Sequence, residues 1–141
     1  MIVYVDTSII LRKVLHEPDP LDQWSDITVP ISSSLARVEC ARTFDRYRLR
    51  RHLDSDDWAA AVRLTDEILS RMTILDLTPE ILRRAAQLLP EPVGTLDAIH
   101  LTTAARYRET QRVALSFATH DRELAIAARA LGFPVIGTQI P

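Results

Sequence analysis

The sequence predicts an α/β domain: a parallel sheet of about five strands flanked by helices on both faces. Two observations carry that expectation. Short, apolar, β-branched runs alternate with longer segments whose apolar residues recur at helical spacing, and such alternation reads as a parallel sheet covered on both sides. Only three glycines (94, 132 and 137) interrupt 141 residues, with no repeat, low-complexity tract or linker. The whole chain, 1–141, is therefore read as a single domain of a size that buries about 68–70% of its unfolded surface.

Each element has a local reason. Ile2 to Val5 is a buried strand, and Thr7 to Leu15 is a helix that "EPDP" breaks. "TVPIS" is a second strand. The helix after it carries apolar residues at 35, 38, 41 and 44, with the serines before it as N-caps. Asp54 to Met72 is an amphipathic helix opened by a Ser-Asp-Asp cap, and "TILDL" is a strand. Thr78 caps a helix with Pro79 at its first position. Thr95 to Arg108 is helical, "VALSFAT" is a strand, Asp121 to Leu131 is a helix stopped by Gly132, and "PVIG" is a last strand.

Composition narrows the class. Hydrophobic residues make up 47% and charged ones 26%, an ordinary globular balance. The single Cys40 excludes an intrachain disulfide and a cysteine zinc site. No apolar run reaches membrane-spanning length and no signal-peptide pattern opens the chain, so a cytoplasmic protein is expected. A net charge of -2 does not itself announce a nucleic-acid binder. Yet six arginines crowd positions 37 to 51 against only Glu39 and Asp45, and Arg42, Arg46 and Arg50 recur at four-residue spacing as one helical stripe. That stripe is either a solvated face paired with nearby acids or a track for a polyanion.

The acids hold the chemistry. In parallel sheets ligands gather at the carboxyl ends of the strands. Asp6 ends the first strand, and Asp121 follows "ALSFAT" in the equivalent position. Glu39 lies one turn into the helix after "TVPIS", and Asp97 lies just inside a helix in "TLDAIHL". Each has a plainer role: Asp6 and Asp121 as helix caps, Asp97 near a helix start as a match for the macrodipole, and Glu39 as a solvated edge residue. Those roles do not explain all four on one rim, where carboxylates repel and raise one another's pKa. A hard cation such as Mg²⁺ or Mn²⁺ relieves the repulsion, and the chemistry it serves is phosphoryl transfer. His16, His52, His100 and His120 make no metal pair. His100, three residues after Asp97, either faces the acids or is a hydrogen-bonded structural histidine.

At these residues the chain resembles a known family. "VYVDTSIIL", "SSSLARVECAR", "TLDAIHLTTA" and "FATHDRELAIAARALGFPVI" resemble, in order, the four acidic motifs of PIN-domain nucleases, and above all the VapC-type toxins of VapBC toxin–antitoxin pairs. The resemblance implies a single PIN domain acting as a Mg²⁺-dependent (Mn²⁺ possible), single-strand-acting endoribonuclease. In it a metal-activated water, held by the acidic cluster, hydrolyses RNA phosphodiesters. It implies Asp6 and Asp97 as metal ligands, Glu39 and Asp121 completing the catalytic pocket, and Thr119 placing a hydroxyl beside it. It also implies a homodimer and a cognate antitoxin as partner. Two rivals stand beside it. A haloacid-dehalogenase-like phosphatase needs a second Asp two residues after the first, where Ser8 stands, and a lysine, of which Lys13 is the one example. A non-catalytic protein-binding α/β module needs none of the acids.

Overall fold

The computed structural model of the chain describes residues 1–139. Strand β1 (Ile2–Val5) leads into helix α1 (Thr7–Val14), then a short 3-10 turn at Asp22–Asp26. Next come β2 (Val29–Ser33), α2 (Leu35–Leu49), α3 (Ser55–Ser70), β3 (Thr73–Leu75) and α4 (Pro79–Ala85). The chain continues through α5 (Thr95–Gln111), β4 (Ser116–Ala118), α6 (Arg122–Ala130) and β5 (Val135–Ile136).

All five strands pair in parallel, in the order β3-β2-β1-β4-β5. From β1 the sheet grows first through β2 and β3, then on the other side through β4 and β5. The carboxyl ends of β1 and β4 are therefore the place where the winding reverses, the crevice in which such sheets bind ligands.

The alternation along β1 divides the core. Val3 and Val5 face α1, α2 and α3, packing with Ile9, Ile10, Phe44 and Leu69. Tyr4 faces the other layer with Phe117, Leu101 and Leu124. Pro30 sits inside β2 without breaking the sheet. The Val29 N–H already donates to Met1 O on the β1 side, so position 30 aims at β3, which begins only opposite Ile31.

Several local expectations change. In α2 the buried positions are Ala36, Cys40 and Phe44, while Val38 is 56% exposed. Phe44 is buried as expected, but the small Ala36 and Cys40 take the inward places expected of 35, 38 and 41. Ser34 makes no capping hydrogen bond with its side chain; Ser33 Oγ accepts from Leu35 N–H instead, at 3.1 Å. Asp54, just ahead of Ser-Asp-Asp, caps α3 by accepting from Asp57 N–H. Helix α5 runs to Gln111, one turn beyond Arg108. The Thr78 cap, Pro79 at the helix start and the stop at Gly132 (φ +79°) are as expected.

Candidate active site

The site is built on strand ends. As β1 ends, Asp6 turns outward as the N-cap of α1, and its backbone N–H still donates to Ala118 O of β4 at 2.9 Å. The residue is only 5% exposed. Oδ2 accepts from Ser8 N–H (3.2 Å), Ser8 Oγ–H (2.6 Å) and Thr119 Oγ–H (3.0 Å). Three donors on one oxygen hold the carboxylate in a single orientation.

Thr119 follows β4 and joins two acids. While donating to Asp6 it accepts from Asp121 N–H at 3.0 Å, and Asp121 in turn caps α6 by accepting from Leu124 N–H at 2.9 Å. The capping role considered for Asp6 and Asp121 is thus real in both, and it aims each carboxylate along the sheet's rim rather than excluding another use. Gly137, at φ +90°, lies against this turn: a Cβ there would stand 2.8 Å from Thr119 O. Its carbonyl accepts from His120 Nδ1, which leaves His120 Nε2 buried and without a partner among the described residues.

Glu39 and Asp97 come from opposite layers. Glu39 reaches in from α2, and its Oε1 accepts from Thr7 Oγ–H at 2.8 Å and from His100 Nε2 at 2.6 Å. Asp97, in the first turn of α5, is half-buried. Its carboxyl is pushed up to about 6, first by burial, then by the charges of Asp6 and Asp121, with His100 opposing and Glu39 adding. Asp6, Glu39 and Asp121 are therefore each close enough to act on Asp97. None of the four acids pairs with an arginine or lysine among the described residues; His100 Nε2 instead stands 2.6 Å from Glu39 Oε1 and 3.7 Å from Asp6 Oδ1.

The donor set decides what ion it fits. No three His, Cys, Asp or Glu side chains among the described residues close into a ready-made metal cage. A donor set made of carboxylate oxygens alone suits Mg²⁺ or Mn²⁺, which take one or two carboxylates and keep waters, rather than the closed tetrahedral sites of structural zinc.

Beyond Asp121 lies a hollow of about 320 Å³ walled by Ser8, Arg12, Arg46, Tyr47 and His120. Arg46 is thus the member of the arginine stripe that lines it. Arg42 is drawn aside to Asp45 at 3.3 Å, and Arg50 caps the exposed end of α2. Tyr4 was not legible as part of the site, since an aromatic in a core strand carries no signal of its own. His120 stands in the sequence as one of four scattered histidines, with no spacing that marks it for the site.

The PIN-domain family profile matches residues 3–130. The chain belongs to the PIN-domain family. Ribonuclease VapC46 of Mycobacterium tuberculosis is 32% identical to this PIN domain over 140 residues, 95% of each chain. Ribonuclease VapC47 of the same species is 28% identical over 138 residues, 93% of each. Among solved structures, FitAB bound to an IR36 DNA fragment superposes with a TM-score of 0.69 at 16% identity, covering 99% of this chain and 98% of the other. That likeness speaks for the fold. No helix among the described residues is long and apolar enough to cross a membrane.

Proposed function

We propose that this PIN domain is a divalent-cation-dependent endoribonuclease, the toxin of a toxin–antitoxin pair, acting on single-stranded RNA. One observation carries the reading. Asp97, half-buried at the start of α5, has its carboxyl raised to about 6 first by burial and then by the charges of Asp6, Asp121 and Glu39, which come from three other elements, and this supports one acidic site near the sheet's reversal point. The ribonuclease names of the two mycobacterial relatives support it.

Asp6 and Asp97 would hold Mg²⁺ or Mn²⁺, with Glu39 and Asp121 completing the pocket. When bound, the cation supplies charge neutralisation at the phosphate and a lowered pKa for an attacking water. The chain's own residues do the rest. Ser8 and Thr119 fix the Asp6 carboxylate before any ligand arrives, which lowers the ordering cost of binding. Burial keeps competing water from Asp6 and strengthens its field. Arg46, at the edge of the hollow beside Asp121, meets an RNA backbone leaving the acids.

The phosphatase alternative is weakened by Ser8. Its hydroxyl is spent on Asp6, so it neither supplies the missing acid nor leaves that oxygen free as a nucleophile. For the antitoxin, two hollows run along α1 and α3, with apolar walls at Trp24, Ile27, Leu64 and Met72 and at Val14 and Leu53, and charged side chains such as Lys13, Arg63 and Glu67 at their edges. An amphipathic helix lying there, with a basic side chain reaching the acids, would silence the site. The family resemblance extends the reading to a cytoplasmic homodimer.

The test is to incubate the purified protein with single-stranded RNA in Mg²⁺, in Mn²⁺ and in EDTA, beside p-nitrophenyl phosphate. Cleavage of RNA that EDTA abolishes, with no turnover of the ester, is the expected result. Ester hydrolysis, or RNA cleavage that persists in EDTA, contradicts the proposal.

A further inference from the structure

The buried chain of hydrogen bonds behind Glu39 goes beyond the acids themselves. His100 is fully buried, 0% exposed, on the inward face of α5. Its Nε2 lies 2.6 Å from Glu39 Oε1, and its Nδ1 lies 2.8 Å from the hydroxyl of Tyr4, itself 0% exposed. A carboxylate oxygen only accepts, so Nε2 must carry the proton, whatever the state of Nδ1. Tyr4 packs edge-on against the imidazole, with ring centroids 5.9 Å apart, and stacks on Phe117 at 5.2 Å. The ring of His100 therefore cannot turn without breaking two hydrogen bonds and disturbing the core of the second layer.

Glu39 lacks such anchorage on its own element. It stands on a partly exposed face of α2, and the groups that fix Oε1 come from α1 (Thr7) and α5 (His100), on opposite sides of the sheet. Both use the same oxygen. Oε2 accepts no hydrogen bond among the described residues, so the carboxylate presents one fixed, free oxygen to the rim.

We infer that His100, locked by Tyr4, is a positioning residue that holds the Glu39 carboxylate in the acidic pocket and thereby sets the pocket's affinity for divalent cations. The inference rests on the proposed metal-dependent reading of that pocket. Asn and Gln separate positioning from bulk packing. The Gln amide nitrogen reaches the place of imidazole Nε2 and can donate to Glu39; the shorter Asn side chain reaches only the Nδ1 position, facing Tyr4.

The experiment measures Mn²⁺ binding by the electron paramagnetic resonance of the free ion, on wild type, His100→Asn, His100→Gln and Tyr4→Phe, each checked for folding by its metal-free melting temperature. A group that orients a metal-pocket side chain typically contributes about tenfold or more in affinity. His100→Asn is therefore expected to weaken Mn²⁺ binding about tenfold, His100→Gln to recover most of that loss, and Tyr4→Phe to show a smaller loss in the same direction. In a Glu39→Gln background, His100→Asn should add less than the loss it causes alone, because the group it positions is gone and only its 3.7 Å approach to Asp6 Oδ1 remains to be lost. If Asn and Gln weaken binding equally, or if wild-type affinity survives in His100→Asn, the positioning role is overturned. Should His100→Asn not fold, wild-type affinity in Tyr4→Phe together with a loss of about tenfold or more in folded His100→Gln would overturn it equally. Wild-type protein that binds no Mn²⁺ overturns the metal-dependent reading itself, and Asp97→Asn losing Mn²⁺ while the His100 variants keep it overturns only the inference.

Discussion

Thr119 Oγ donates to Asp6 Oδ2 at 3.0 Å across 113 positions of sequence, and in the same geometry accepts from the N–H of Asp121. One hydroxyl thus joins the acid that ends β1 to the acid that opens α6. Thr119→Val keeps the shape and removes both bonds, leaving the Asp121 N–H without its acceptor. The expected cost is about 1–3 kcal/mol of stability by urea denaturation, together with reduced RNA cleavage. Thr119→Ser, which keeps the hydroxyl, should retain most of both. A Val variant equal to wild type in both measurements would remove the bridge from the account.

Asp97 titrates near 6 in the folded protein, above its ordinary value, because burial and its neighbours' charges disfavour the carboxylate. The folded state therefore holds its proton longer than the unfolded one. Its contribution to stability is fully present below about pH 4 and is lost as the pH rises through about 6. Allowing for its half-exposed setting, the effect is roughly 1 kcal/mol. In the metal-free protein, Asp97→Asn should be at least as stable as wild type at pH 7.5 and should show a shallower fall between pH 4 and 6.5. Urea denaturation across that range checks the slope; identical slopes in the two proteins would count against the repulsion.

Gly137 is predicted to be irreplaceable on two grounds, its φ of +90° and the 2.8 Å approach a Cβ would make to Thr119 O. Gly137→Ala should cost on the order of 1–3 kcal/mol, and should lower cleavage because the strain falls on the turn that carries Thr119. Thermal denaturation of the variant reads the first effect and RNA turnover the second; an unchanged melting temperature would refute the constraint.

The arginine stripe divides by neighbour. Arg42 bonds to Asp45, and the charges of Arg48 and Arg42 in turn hold that carboxyl below its ordinary value, with the Arg48 hydrogen bond the larger cause. Arg46 instead lines the hollow beside Asp121. Arg46→Gln should flatten the slope of log RNA affinity against log salt by about 0.7, the share of one phosphate contact on a single strand, whereas Arg42→Gln should leave the slope unchanged. Equal slopes for both variants and wild type would return Arg46 to a solvated face.

How much of this was legible follows the range of each interaction. The strand ends, the caps at Thr78 and Asp121, the stop at Gly132 and the acids at element junctions are signalled by near neighbours, so the parallel sheet and its acidic rim could be read from the chain. The inward face of α2 was misread because Ala36 and Cys40 are small, and pattern reading favours the larger Leu35 and Val38. The anchorage of Glu39 was out of reach for another reason. His100 lies 61 positions away and Tyr4 96 positions from His100, and no local pattern brings three such residues together. The two readings weighed for His100, pocket-facing or structural, turn out to describe one side chain.

The central claim is that the acidic rim cleaves RNA with a divalent cation held in part by Asp97. The most direct measurement is the cleavage rate of a single-stranded RNA at saturating Mg²⁺ by purified wild type and Asp97→Asn, a change that keeps shape and removes charge. The account predicts cleavage by the wild type and none by the folded Asn variant. Full activity in Asp97→Asn would contradict it.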